Sequence, residues 1–258
     1  MRIILFFLPL FFVSYQTKAQ IPEAALKACD AGNVTACSDI ADIYDEGLND
    51  LTIDHAKGAE FYTKACDLKD GYSCRVLGYY YDSGQGVKQS KEKAAELYLK
   101  GCEFKDSYAC YNLGVLYDTG KGVKQDYLQA QKHYTQACDQ FEGIACANLG
   151  FLYKRGNGVK KDLKKAMKYF ENACHLEDGI GCRSVGYMHA NGESVKEDEL
   201  RASHFYTKAC NLDDSTGCYN LGLLFEYGDG VKKDIKMAIQ LYAKSCELGE
   251  ELGCEGVD

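Results

Sequence analysis

Apolar and polar residues alternate along this chain with the period of a helix, not of a strand. In residues 162–174, DLKKAMKYFENAC, the apolar positions are Leu163, Ala166, Met167, Phe170, Ala173 and Cys174. That i, i+3, i+4, i+7 spacing predicts a helix buried along one face. Asp162 stands where an N-cap is expected, and Asp126, Asp198 and Asp234 hold the equivalent place. Upstream, Cys146, Leu149, Gly150 and Tyr153 lie at the same helical spacing. That helix stops at Gly156-x-Gly158-Val159, where glycine takes the left-handed geometry that ends helices. The two segments form one αα-hairpin.

The hairpin recurs with a fixed period. The 14 cysteines form pairs eight residues apart: Cys29 and Cys37, Cys66 and Cys74, Cys102 and Cys110, Cys138 and Cys146, Cys174 and Cys182, Cys210 and Cys218, Cys246 and Cys254. Successive pairs are 37 residues apart once and then 36 five times. Gly78, Gly114, Gly150, Gly186 and Gly222 share one column, and Tyr62, Tyr98, Tyr134, Phe170, Tyr206 and Tyr242 another. A glycine in mid-helix costs about 1 kcal/mol against alanine, so its recurrence predicts close helix–helix approach. A period in this range means a repeat architecture. The expected fold is an all-α solenoid of αα-hairpins in one domain over residues 20–258, with hairpins at about 34–66, 70–102, 106–138, 142–174, 178–210 and 214–246. A half helix from Pro22 to Ala31 and a stub after Cys246 are the expected end caps.

Composition narrows the function. Hydrophobic residues make up 46% of the 258, enough for a core, and the net charge of −8 argues against nucleic acid as a partner. Residues 1–19, MRIILFFLPLFFVSYQTKA, read as a signal peptide: Arg2, an apolar run from Ile3 to Val13, and Thr17-x-Ala19 before Gln20. The run is short for a membrane span, so no transmembrane segment is expected after cleavage. The destination is periplasmic or extracellular, where disulfides persist.

Two pairings suit the cysteines. One joins each Cys to the Cys eight residues away; the other joins Cys37 to Cys66 and so on across each hairpin. The second leaves Cys29 and Cys254 unpaired, and parity favours the first. Structural zinc sites use Cys-x2–4-Cys, which does not occur, so no metal or cofactor is expected.

The pattern G-x-G-V-x-x-D…A…Y-x-K-A-C…C-x-x-L-G-x-x-Y resembles the Sel1-like repeat, a relative of the tetratricopeptide repeat; residues 113–138 carry it closely. The Cys-x7-Cys added to every unit is similar to the secreted cysteine-rich Hcp proteins of Helicobacter and its relatives. The resemblance implies a right-handed superhelix with a concave surface. It also implies penicillin binding with weak β-lactamase activity.

The residues themselves show no such chemistry. Ser90-Lys91-Glu92-Lys93 matches S-x-x-K, but Ser90 sits in the N-cap column, and the partner motifs S-D-N and K-T-G are absent. The expected alternative to a hydrolase is a non-catalytic adaptor, a monomer, whose groove holds a β-lactam, a cell-wall-like peptide or a segment of a partner protein. Asn112, Asn148 and Asn220 share one column, and an amide both donates to and accepts from a peptide backbone. Arg75, Tyr111, Arg183 and Tyr219 stand beside that column, and Arg155 lies further along its helix. Arg and Tyr combine flat apolar area with a charge or hydroxyl. The same asparagines would equally serve to bond a neighbouring repeat.

Overall fold

The structure, a computed structural model, describes residues 20–48 and 51–256. The expected signal peptide lies outside the described residues. Fourteen helices follow one another, with no strand among the described residues. Six hairpins pair α2 (Val34–Glu46) with α3 (His55–Asp67), α4 (Gly71–Ser83) with α5 (Lys91–Glu103), α6 (Ser107–Thr119) with α7 (Tyr127–Cys138), α8 (Gly143–Arg155) with α9 (Leu163–His175), α10 (Gly179–Ala190) with α11 (Glu199–Asn211), and α12 (Ser215–Tyr227) with α13 (Ile235–Glu247). The short α1 (Glu23–Asp30) and α14 (Glu251–Glu255) close the ends.

Local chemistry sets each boundary. The side chains of Asp54, Ser90, Asp126, Asp162, Asp198 and Asp234 accept backbone N–H bonds at the start of the odd helices. Each such cap is worth about 1 kcal/mol. Gly47, Gly84, Gly120, Gly156 and Gly228 end even helices in the left-handed region. The second glycine of each pair does a different job. A Cβ on Gly158 would fall 2.4 Å from Tyr127 Cβ, and one on Gly230 2.3 Å from the Glu199 carbonyl carbon. These glycines let each loop rest on the start of the preceding odd helix.

The mid-helix glycines admit aromatic rings. A Cβ on Gly78, Gly114, Gly150, Gly186 or Gly222 would meet the ring of Tyr98, Tyr134, Phe170, Tyr206 or Tyr242 at 2.5–2.7 Å. Overpacking costs about 1–3 kcal/mol, more than the roughly 1 kcal/mol that alanine gains in a helix. Gly150→Ala is therefore expected to lower stability by roughly 1 kcal/mol, despite the better helix former. Thermal melting checks this; a raised midpoint would contradict the ring-admission account.

All seven disulfides join cysteines eight residues apart, with Cα–Cα distances of 4.4–4.8 Å. Each bridge crosses a repeat boundary: it ties the end of one odd helix to the first turn of the next even helix, as Cys138 in α7 is tied to Cys146 in α8. The turn it spans needs one left-handed residue, which is Gly at the two ends and Lys69, Lys105, Phe141, Glu177 and Asp213 between.

Within the hairpins, aromatic rings stack between even and odd helices. Two of these are histidines: His133 on Tyr117 at 5.7 Å and His189 on Phe205 at 5.8 Å, both buried. Burial holds both pKa values below the ordinary histidine range. Around His189, the Arg201 charge acts in the same direction, and Asp198 and Glu171 oppose it. At His133, the bond to Gln136 opposes burial and Lys132 reinforces it. A depressed histidine pKa means that the unfolded chain binds the proton first. The stability from these residues is present above the unfolded value of about 6.5 and is lost as pH falls through it toward the folded value. The melting midpoint is expected to drop between about pH 7 and pH 5. Phe225 fills the place of His189 in the last hairpin, so His189→Phe should flatten that slope. Equal slopes in the two proteins would refute the assignment.

Candidate functional site

Each even helix touches its hairpin partner and the odd helix before it. In addition, α4 meets α6, α8 meets α10 and α10 meets α12. No comparable contact joins consecutive odd helices. The even helices therefore sit on the tighter, inner side of the curved array. Their buried residues, such as Cys74, Leu77 and Gly78 on α4, face the odd helices. The remaining stripe, at i, i+3, i+4 and i+7, is exposed or half-buried except at Ala147 and Ser184, which are buried: Tyr72, Arg75, Val76 and Tyr79 on α4, Tyr108, Tyr111, Asn112 and Val115 on α6, Ile144, Ala147, Asn148 and Phe151 on α8, Ile180, Arg183, Ser184 and Tyr187 on α10, and Thr216, Tyr219, Asn220 and Leu223 on α12. Five repeats thus lay one continuous surface along the concave side.

The eight residues singled out in the sequence all belong to this stripe or its extension, and they do different things there. Asn112, Asn148 and Asn220 are half-buried. Asn148 lies beside the Tyr111 and Tyr134 phenols and offsets part of the upward push that burial gives both. Among the described residues, Asn112 and Asn220 have no protein partner for their amides. Tyr111 and Tyr219 form the floor, with rings 6.1 Å from Tyr134 and 5.5 Å from Tyr242. Arg75 and Arg183 are tied to the next repeat. Arg75 Nε donates to Asp106 and Arg183 Nε to Asp214, at 3.3 and 2.9 Å, and both carboxylates also cap the helix that follows. The Arg75 guanidinium lies between the rings of Tyr72 and Tyr108, at 5.0 and 5.5 Å. Arg155 is exposed, lies over the Phe151 ring at 5.4 Å, and has no carboxylate partner among the described residues.

Sequence reasoning missed the exposed tyrosines. Tyr72, Tyr79, Tyr108, Tyr187 and Tyr227 are 40–63% exposed, and all lie on the inner side of even helices. The tyrosines of the Tyr62 column lie in the core, and these five do not. The available signal was their place on the first helix of each unit, one turn before or after the asparagine column, or two turns after it for Tyr227.

The first repeat differs. Its stripe carries Asp39, Asp42 and Glu46. Asp42 accepts hydrogen bonds from the hydroxyls of Tyr62 and Tyr72, at 2.6 and 3.2 Å. At the disulfide edge of the groove, burial raises the carboxyl pKa of Glu142 and Asp178, and the neighbouring Asp214 charge raises Asp178 further. The S-x-x-K pair forms no dyad. Ser90 Oγ accepts from the Lys93 amide at 3.3 Å as a helix cap, and the Lys93 ammonium lies over the Tyr81 ring. No cluster of His, Cys, Asp or Glu suited to a metal ion occurs among the described residues.

Comparison with known proteins agrees with this geometry. The Sel1 repeat model matches six times, at residues 34–70, 71–103, 107–140, 143–178, 180–214 and 215–250. No curated protein sequence matches the chain. Among solved structures, a protective antigen of uropathogenic Escherichia coli with this repeat fold superposes with a TM-score of 0.84 at 25% identity, covering 92% of this chain and 51% of the antigen. This chain thus spans about half the length of that antigen. A Sel1 repeat protein of Oxalobacter formigenes gives a TM-score of 0.69 at 24% identity, covering 91% of this chain and 85% of that one. The cysteine-rich protein B of Helicobacter pylori is 37% identical over 52% of this chain and 96% of its own, with a TM-score of 0.43. Six matched repeats spanning nearly all of the described residues make this chain a member of the Sel1 repeat family.

Proposed function

We propose that this protein is a non-catalytic binding module that holds an extended peptide segment of a partner along the concave side of its solenoid. One observation carries the reading: all five strongly exposed tyrosines lie on that side, around a column of half-buried asparagines. Exposed flat side chains anchor a ligand, and unspent amides read its backbone. The seven disulfides point to a compartment outside the reducing cytosol, and export by cleavage before Gln20 is part of the proposal. A peptide-library screen with the oxidised protein tests the main reading; failure to select any peptide would count against it.

Arg155 favours a second reading. An exposed guanidinium without a carboxylate partner suits a ligand carboxylate, which a peptide C-terminus and a penicillin both offer. β-Lactam binding would then share the groove, with Ser90 spent as a cap and hydrolysis slow or absent. Nitrocefin turnover by the pure protein, above that of buffer, is the result that would favour an enzyme.

A further inference from the structure

The hairpins are antiparallel, so every even-to-odd loop lies on one edge of the solenoid and every disulfide turn on the other. Charge along the loop edge is uneven: the fifth hairpin's loop carries Glu193, Glu197, Asp198 and Glu199, and the two hairpins before it are rich in lysine. On the loop edge of the third and fourth hairpins, Lys121, Lys124, Lys160, Lys161, Lys164 and Lys165 are all exposed. None forms an ion pair with a carboxylate among the described residues; the Lys165 ammonium lies over the Tyr153 ring at 5.1 Å. The acids of these two loops are already committed. Asp126 accepts from the amides of Leu128 and Gln129, and Asp162 from that of Lys165. In a chain of net charge −8, this is a local concentration of positive charge. The disulfide edge is mixed: Asp67, Asp106, Asp213 and Asp214 are ion-paired, Asp70 and Asp178 cap helices, and Lys69 and Lys105 stand among them.

A second feature lies on the same edge. Leu128 and Leu200 are 62% and 68% exposed. They are the second residues of α7 and α11, and Lys164 is the second residue of α9 between them. The edge therefore presents leucine, lysine and leucine in register on three consecutive repeats. A soluble polyanion would pair with the lysines and leave both leucines in water. The interface of a bilayer takes both, headgroup phosphates for the lysines and the acyl boundary for the leucines. No helix among the described residues is long and apolar enough to cross a membrane, so the contact is peripheral.

We propose that this loop edge docks on a lipid bilayer carrying anionic headgroups. The disulfide edge then points away from the membrane, and the peptide-binding side remains open to solvent. The proposal does not depend on what the groove binds.

Vesicle flotation with the purified oxidised protein tests it. Binding is expected to phosphatidylglycerol–phosphatidylcholine vesicles and not to phosphatidylcholine alone. Lys160→Glu with Lys161→Glu should weaken binding about tenfold or more. The same charge change on the opposite edge, Lys69→Glu with Lys105→Glu, should stay within about twofold; Glu177 already occupies that turn position in a later repeat. Leu128→Ser with Leu200→Ser should release the protein from the vesicles at raised salt, where the electrostatic share is screened. Absence of vesicle binding, equal loss from both lysine pairs, or an unchanged leucine variant would each overturn the proposal. Heparin binding without vesicle binding would assign the edge to a soluble polyanion instead.

Discussion

Reduction of the disulfides is expected to unfold this protein under conditions in which the oxidised chain keeps its helices. Each bridge closes a nine-residue ring, worth about 2–3 kcal/mol in the chain-entropy model. Seven such rings together match or exceed the 5–15 kcal/mol that typically separates native from unfolded domains. The bridges also sit where the array is weakest. Each spans a repeat boundary, and the five inner turns put Lys69, Lys105, Phe141, Glu177 and Asp213 in the left-handed region, at about 1–2 kcal/mol each. Far-UV circular dichroism with and without reductant reads the effect; a midpoint that moves by only a few degrees would refute it. Position matters as well. In an array stabilised through nearest neighbours, Cys138→Ala with Cys146→Ala cuts the middle, and Cys29→Ala with Cys37→Ala frays one end. The central pair should cost more.

The second large effect concerns the groove. Asn112→Ala with Asn148→Ala is expected to weaken peptide binding about 5- to 150-fold, since two or more backbone hydrogen bonds at about 0.5–1.5 kcal/mol each are removed. The fold should tolerate the change, because Val76 occupies the same position in the second hairpin. Titration calorimetry with a library-selected peptide measures the affinity, and melting controls for stability. Unchanged affinity would remove the asparagines from the ligand contacts.

Much of this molecule was legible because its period is. Hairpin boundaries, aspartate caps and glycine stops repeat every 36 residues, so each unit confirms the others. The mid-helix glycines pointed to close approach, and the rings of Tyr98, Tyr134, Phe170, Tyr206 and Tyr242 fill that space. The site was less legible, because a period marks equivalent positions and not which way they face. Tyr72 and Tyr108 share a column with Ile144 and Ile180, and nothing in that mixture says that both tyrosines are open to the groove. Arg75 and Arg183 read as ligand anchors; each is tied to a cap carboxylate on the next repeat. The equal spacing of 31 residues from Arg75 to Asp106 and from Arg183 to Asp214 was the signal for that tie. The lysine edge escaped for another reason. Lys160-Lys161 and Lys164-Lys165 look like ordinary solvated charge until the fold sets Leu128 and Leu200 on the same edge.

Photo-cross-linking of a library-selected peptide to the oxidised protein tests the central claim most directly. The account predicts adducts on the inner stripe of several consecutive even helices, at residues such as Tyr108, Asn112, Phe151 and Tyr187, in one direction along the array. Adducts confined to the odd helices or to the loop edge would contradict it.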